Sequence, residues 1–187
     1  MKLLKNRNFA ILICAIVMVL ALLIGVHISL TRLVRDVEQM FYDGVPIEGT
    51  DGTWPSINQH LRNLSQSISD NVPLYLNHSG LSDEAEALLT AQRNLMDAET
   101  ISEKYSAYQS IQQTSTAFFR KADIVDFLSD DDRGPIDQYQ TIFFGATEAI
   151  QRNDYNARAR NFMDEASFIA VLLKPIVFVT PPQAFDT

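Results

Sequence analysis

From Phe9 to Val26 every residue is apolar or glycine, eighteen consecutive positions without a charge. The uncharged stretch then continues through His27 to Thr31. At about 1.5 Å of rise per residue, a helix over this run crosses a hydrocarbon core of roughly 30 Å. Three other readings compete with a membrane span. A cleaved signal peptide has a shorter apolar core and a small-x-small cleavage site, and Gly25-Val26-His27-Ile28-Ser29 is a poor one. A lipoprotein signal needs a small residue just before the modified cysteine, where Ile13 precedes Cys14. A buried core helix of a protein this small is seldom apolar on every face. The run therefore predicts a transmembrane helix over residues 9–31, with residues 1–8 as a short tail before it.

Charge sorts around this span. Lys2, Lys5 and Arg7 precede it, Arg32 and Arg35 follow it, and no acid occurs before Asp36. All 23 acids then share residues 36–187 with 10 of the 15 bases, so that portion carries 10 − 23 = −13. Counting Lys and Arg on each flank places the N-terminus in the cytoplasm and the rest outside. An acidic surface excludes nucleic acid, whose phosphates are held by Lys and Arg. Cys14 is the only cysteine and lies in the apolar run, so the acidic portion has no disulfide and no thiolate metal site.

Beyond the span the apolar residues keep helical spacing. Leu30, Leu33, Val34, Val37, Met40 and Phe41 mark one face, which carries the anchor helix on until Gly44. The stretch 44–53 (GVPIEGTDGT) reads as a loop. A second helix starts near Trp54-Pro55, with a seam of Ile57, Leu61, Leu64, Ile68, Val72 and Tyr75, and Pro73 kinks or ends it. Ser82 is the expected N-cap of a third helix, with Asp83, Glu84 and Glu86 favourable at its N-terminus. Its face (Ala85, Leu88, Leu95, Ala98, Ile101, Tyr105, Tyr108, Ile111) runs past Phe118 to Leu128, the weak point being Gln112 to Thr116. Ser129 to Gly134 reads as an acidic loop. Pro135 then opens a fourth helix through Ile136, Tyr139, Ile142, Phe143, Ala146 and Ile150, continuing to Phe162, Ala166 and Ile169.

Long amphipathic helices joined by short turns must lie antiparallel. The expected fold is all-α: one N-terminal transmembrane helix continuing into an antiparallel up-down four-helix bundle over residues 32–170. Residues 171–187 form an apolar, proline-containing tail, which packs on the bundle base or dips into the membrane surface.

No catalytic, cofactor or metal-ligand set emerges. His27, His60 and His78 share no metal-binding spacing, and there is neither a phosphate loop nor a nucleophile elbow. Asp130-Asp131-Asp132 splay apart and lack the alternating ligands of a calcium loop, so a solvated turn is the simpler reading. Arg152, Arg158 and Arg160 read as surface ion-pairing residues, for example Asp154 with Arg158, or as a contact for an acidic partner or lipid headgroup. The chain is thus expected to be no enzyme and to hold no cofactor.

Several segments together resemble the LemA family of bacterial membrane proteins, as a divergent member. Ser69-Asp70-Asn71-Val72-Pro73-Leu74-Tyr75-Leu76 is similar to the family's proline-containing segment in its second helix. Ala91-Gln92-Arg93-Asn94 echoes an Ala-Arg pair. Tyr155, Asn156 and Phe162 match a Tyr-Asn motif of the fourth helix, and residues 178–186, from Phe178 to Phe185 and Asp186, resemble the family's closing tail. The resemblance implies a transmembrane helix followed by a long bundle, with no catalytic residue and no cofactor. It singles out Pro73, Arg93, Tyr155, Asn156, Phe162, Phe178 and Phe185 as motif positions, and it implies an N-terminus outside the cell, opposite to the charge count.

Function is read accordingly as a membrane-anchored scaffold or interaction protein of the bacterial cell envelope. Its expected partners are the lipid bilayer through residues 9–31 and, through the tail or the acidic bundle, a second copy or another envelope protein. The alternative is an extracytoplasmic sensory or ligand-binding bundle. That reading needs a separate signalling partner, because about eight residues precede the span.

Overall fold

The computed structural model describes residues 7–47, 49, 51–124, 128–162 and 179–185. The protein is all-α, and one N-terminal helix, Phe9–Asp43, is long and apolar enough to span a membrane. The chain divides into two compact units, Met1–Glu38 with Arg158–Pro182, and Gln39–Ala157 with Gln183–Thr187.

In the first unit, helix α1 (Arg7–Asp43) begins, and no residue of its most apolar eighteen-residue window is buried. Burial starts at Val26 and returns at Leu30 and Val37, steps of four and seven that keep one helix face. Ala159 and Phe162 of this unit are buried as well. The expected helical path beyond Phe162 and the apolar tail segment 172–178 lie outside the described residues.

The second unit is a four-helix bundle. It receives the last residues of α1, whose Met40 and Phe41 are buried. The expected loop after Gly44 is closed by a two-rung antiparallel ribbon, β1 (Val45–Pro46) with β2 (Thr53–Trp54). Gly44 makes the ribbon possible. Its φ is +88°, and a Cβ there would sit 2.0 Å from the Trp54 carbonyl oxygen. A left-handed backbone and a blocked Cβ together require glycine. Gly44→Ala is therefore expected to cost about 1–3 kcal/mol, read as a lower urea midpoint at unchanged slope.

Helix α2 (Ile57–Asn71) starts two residues after Pro55, because the Ser56 hydroxyl accepts the Gln59 N–H at 3.0 Å. The same hydroxyl donates to the Tyr42 carbonyl at 3.0 Å, pinning the start of α2 to the end of α1. All six seam residues, Ile57 through Tyr75, are buried. Pro73 ends the helix rather than kinking it, since the chain tightens there into a 3-10 turn, Val72–Tyr75.

Helix α3 (Ser82–Asp97) has Leu81 at its N-cap with no side-chain cap, so Ser82 is already helical and does not cap it. The expected long third helix is two helices. α3 stops at Asp97, and α4 (Ile101–Ile124) folds back against it. Thr100 and Glu103 form a capping box between them. The Glu103 carboxylate accepts the Thr100 N–H at 2.9 Å, and the Thr100 hydroxyl accepts the Glu103 N–H at 3.2 Å. These bonds hold the Glu103 carboxyl below its ordinary pKa, the Thr100 N–H being the largest cause. The Gln112–Thr116 stretch, expected as the weak point, lies inside α4, where Thr114 and Thr116 hydroxyls bond back to the Ser110 and Gln112 carbonyls.

Helix α5 (Asp130–Gln151) opens five residues before Pro135, so the expected acidic loop is instead its first turn. Ser129 and Asp132 make a second capping box, and the aspartates stand where the helix dipole favours negative charge. α5 packs on α2, and it meets α4 through large side chains. Tyr108 bonds Thr147 at 3.2 Å and Ser115 bonds Tyr139. As residue numbers rise on α4 they fall on α5, so the two run antiparallel. Tyr75 closes the far end, its hydroxyl donating to the Asp132 carbonyl and its ring 5.5 Å from Phe118. The four bundle helices are thus α2 to α5, with the end of α1 docked at the pole where α5 finishes. A short α6 (Asp154–Arg160) follows a break at Arg152.

Candidate functional site

The resemblance motifs scatter along the chain, and three of them meet within the second unit. Pro73 is exposed in the turn after α2. Arg93 is exposed on α3, its guanidinium bonded within its own helix to Leu89 and Thr90. Phe162 is buried in the first unit. Phe178 lies outside the described residues. Tyr155, Asn156 and Phe185 come together at the Phe41 pole of the bundle.

Their meeting follows from the end of α5. Arg152 caps the helix. Asn153 then turns the chain, its Oδ1 accepting the Tyr155 N–H at 2.9 Å. Tyr155 and Asn156 are thereby both directed inward, Tyr155 fully buried and Asn156 nearly so. The Asn156 Oδ1 accepts the Phe185 N–H at 2.7 Å, and the Tyr155 hydroxyl donates to the Gln183 carbonyl at 2.5 Å. Two buried side chains thus satisfy the backbone of a segment that belongs to no helix or strand, as buried N–H and C=O groups require.

The clasped segment delivers one large side chain. Phe185 is 2% exposed, and its ring stands 5.3 to 5.6 Å from those of Phe41, Tyr105 and Tyr108. Phe41 also meets Tyr155 at 5.4 Å and Tyr42 at 5.0 Å, both edge-to-face. Each such pair adds about 0.5–1.5 kcal/mol beyond the area it buries. Phe41 stands in the last turn of α1 and Phe185 in the second unit's closing segment, so one aromatic cluster joins both ends of this unit.

What this cluster can do chemically is pack. The Tyr108 hydroxyl donates to Thr147 and accepts from Gln112, and burial pushes its pKa up. Burial likewise raises the Tyr139 hydroxyl, with its Ser115 partner opposing, so neither phenol is poised to ionise near neutrality. Among the described residues, no group of three or more His, Cys, Asp and Glu side chains is placed to hold a metal. The ion pair found there is Arg152 with Glu148 at 2.6 Å, both exposed. Sequence reading missed Tyr105 and Tyr108 as partners of Phe185, because a segment such as Pro-Pro-Gln-Ala-Phe has no periodicity to assign its single large residue a face.

Comparison with the sequence models of known families, with curated proteins and with solved structures finds no match for this chain. Its reading therefore rests on its own residues.

Proposed function

We propose that this is a single-pass bacterial envelope protein resembling the LemA family, a non-enzymatic scaffold whose acidic bundle docks a second copy or another envelope protein. The observation that carries the reading is the clasp. Tyr155, Asn156 and Phe185, three positions the resemblance singles out, close one aromatic cluster with the last turn of α1. Side chains spent on tying residues 183–185 to the last turn of α1 suit a stiff presenting body rather than a reaction centre. The exposed apolar window of α1 supports the bilayer as its first partner. Three basic residues before the span (Lys2, Lys5, Arg7) against two just after it (Arg32, Arg35) favour a cytoplasmic N-terminus and an exported bundle.

Two measurements test this. A phosphatase reporter fused after Thr187 is expected to be active outside the cytoplasm, and an inactive fusion of normal abundance reverses the orientation. Cross-linking in intact membranes is expected to trap species above the 21.1 kDa monomer. A chain that stays strictly monomeric and unpartnered there removes the scaffold reading.

A further inference from the structure

The only tryptophan of the chain is 62% exposed. Trp54 stands on β2, in a ribbon that closes only because Gly44 lacks a Cβ. Beside it lies a groove of about 370 Å³, lined by Trp54, Val45, His60 and the chain turn Arg152-Asn153-Asp154. That volume is at the low end for small-ligand pockets, roughly 300–1,000 Å³. The wall is fixed, since Asn153 reaches the Pro55 carbonyl at 3.5 Å and accepts the Tyr155 N–H.

The groove's lining carries one cation and one carboxylate, Arg152 and Asp154. Arg152 is engaged by Glu148 at 2.6 Å, and Asp154 brings a carboxylate of opposite sign. Burial lowers the His60 pKa, which favours its neutral form at pH 7. A strongly ionic ligand would have to displace the Glu148 pairing or face charge of both signs. A purely apolar one would strip water from the Asp154 carboxylate and from the open faces of Arg152 and Asn153 without replacing it. A ring with one apolar face and hydroxyls around its edge meets both demands. Its C–H face lies on the indole, and its hydroxyls bond the amide, the guanidinium and the carboxylate.

We propose that the Trp54 groove binds a neutral saccharide of one or two pyranose rings. This goes beyond the scaffold reading and does not depend on it, since a scaffold with or without partners can carry the groove.

The lone tryptophan makes the test site-specific. The full chain in phosphatidylcholine vesicles, prepared without maltoside detergents whose headgroups would compete, is titrated with maltose, cellobiose and N,N′-diacetylchitobiose up to about 10 mM. A saturable change in Trp54 emission is expected with at least one of them. Calorimetry with the same sugar is expected to show affinity at least tenfold lower in Trp54→Ala and several-fold lower in Asp154→Asn. Because Trp54 lies outside the core, circular dichroism of Trp54→Ala is expected to match the parent. No saturable change with any of the three overturns the proposal. So does binding that survives Trp54→Ala, or that weakens steeply with salt as an ionic ligand would. Trp54 already shielded from acrylamide by the lipid, before any sugar is added, assigns it to the membrane surface and also overturns the proposal.

Discussion

Phe185→Ala is expected to lower the stability of the bundle by about 3–5 kcal/mol, the usual cost of truncating a fully buried phenylalanine. For a unit of this size that is on the order of 10 °C in melting temperature. The effect is large for a residue in a segment that belongs to no helix or strand, where substitutions usually cost little. It follows from the three rings around Phe185 and from the two hydrogen bonds that hold its segment. Asn156→Ala leaves the Phe185 N–H buried without its acceptor and should cost about 1–3 kcal/mol. Because Asn156 acts on the bundle through this segment, its effect should largely vanish once residues 183–187 are deleted. Such non-additivity is the signature of groups that work as one unit. Urea unfolding of the full chain followed by circular dichroism gives all four corners of the cycle. Asn156→Ala and the deletion adding within about 0.5 kcal/mol would show that the clasp does not act as a unit.

Helix existence was largely legible in the sequence, and helix ends were not. The seam of α2 could be read residue by residue, because Ile57 to Tyr75 keep steps of four and three and all are buried. The third helix failed because its apolar register runs unbroken across Ala98 and Ile101. Only the Thr100-x-x-Glu103 capping signature marks the break, and it lies inside the pattern that hid it. The same cause displaced the start of α5. Proline at 135 is a familiar first-turn residue, yet Ser129 with Asp132 caps the chain earlier. Both corrections have one physical root. Periodicity reports which face is buried, while capping hydrogen bonds decide where a helix begins.

The candidate site divides the same way. Tyr155 and Asn156 are picked out in the sequence by the Tyr-Asn motif of the resemblance, not by periodicity. That the acceptor and donor come from Gln183 and Phe185 required the tertiary fold. The Trp54 groove was beyond sequence reading for a related reason. Its two walls are about a hundred residues apart, and neither contains a recognised motif.

Val17→Arg combined with Leu20→Arg is expected to release the protein from the membrane. Both side chains are more than half exposed, near the middle of an apolar window with no buried residue. No residue of this window is buried among the described residues, and lipid is the medium proposed for it above. Each arginine at a span centre costs about 2.5–3.5 kcal/mol on translocon scales, and each replaced aliphatic forfeits about 0.3–0.6 more. The pair therefore shifts insertion by roughly 6–8 kcal/mol, about four to six powers of ten. The double variant should move from the carbonate-resistant membrane pellet to the soluble or degraded fraction. Gln138→Arg, on the exposed face of α5, should stay in the pellet. Mass spectrometry of the parent separates an anchor from a removed signal, since an anchored chain keeps residues 9–31. A double variant that still resists carbonate extraction would mean the apolar run is held by something other than the bilayer core.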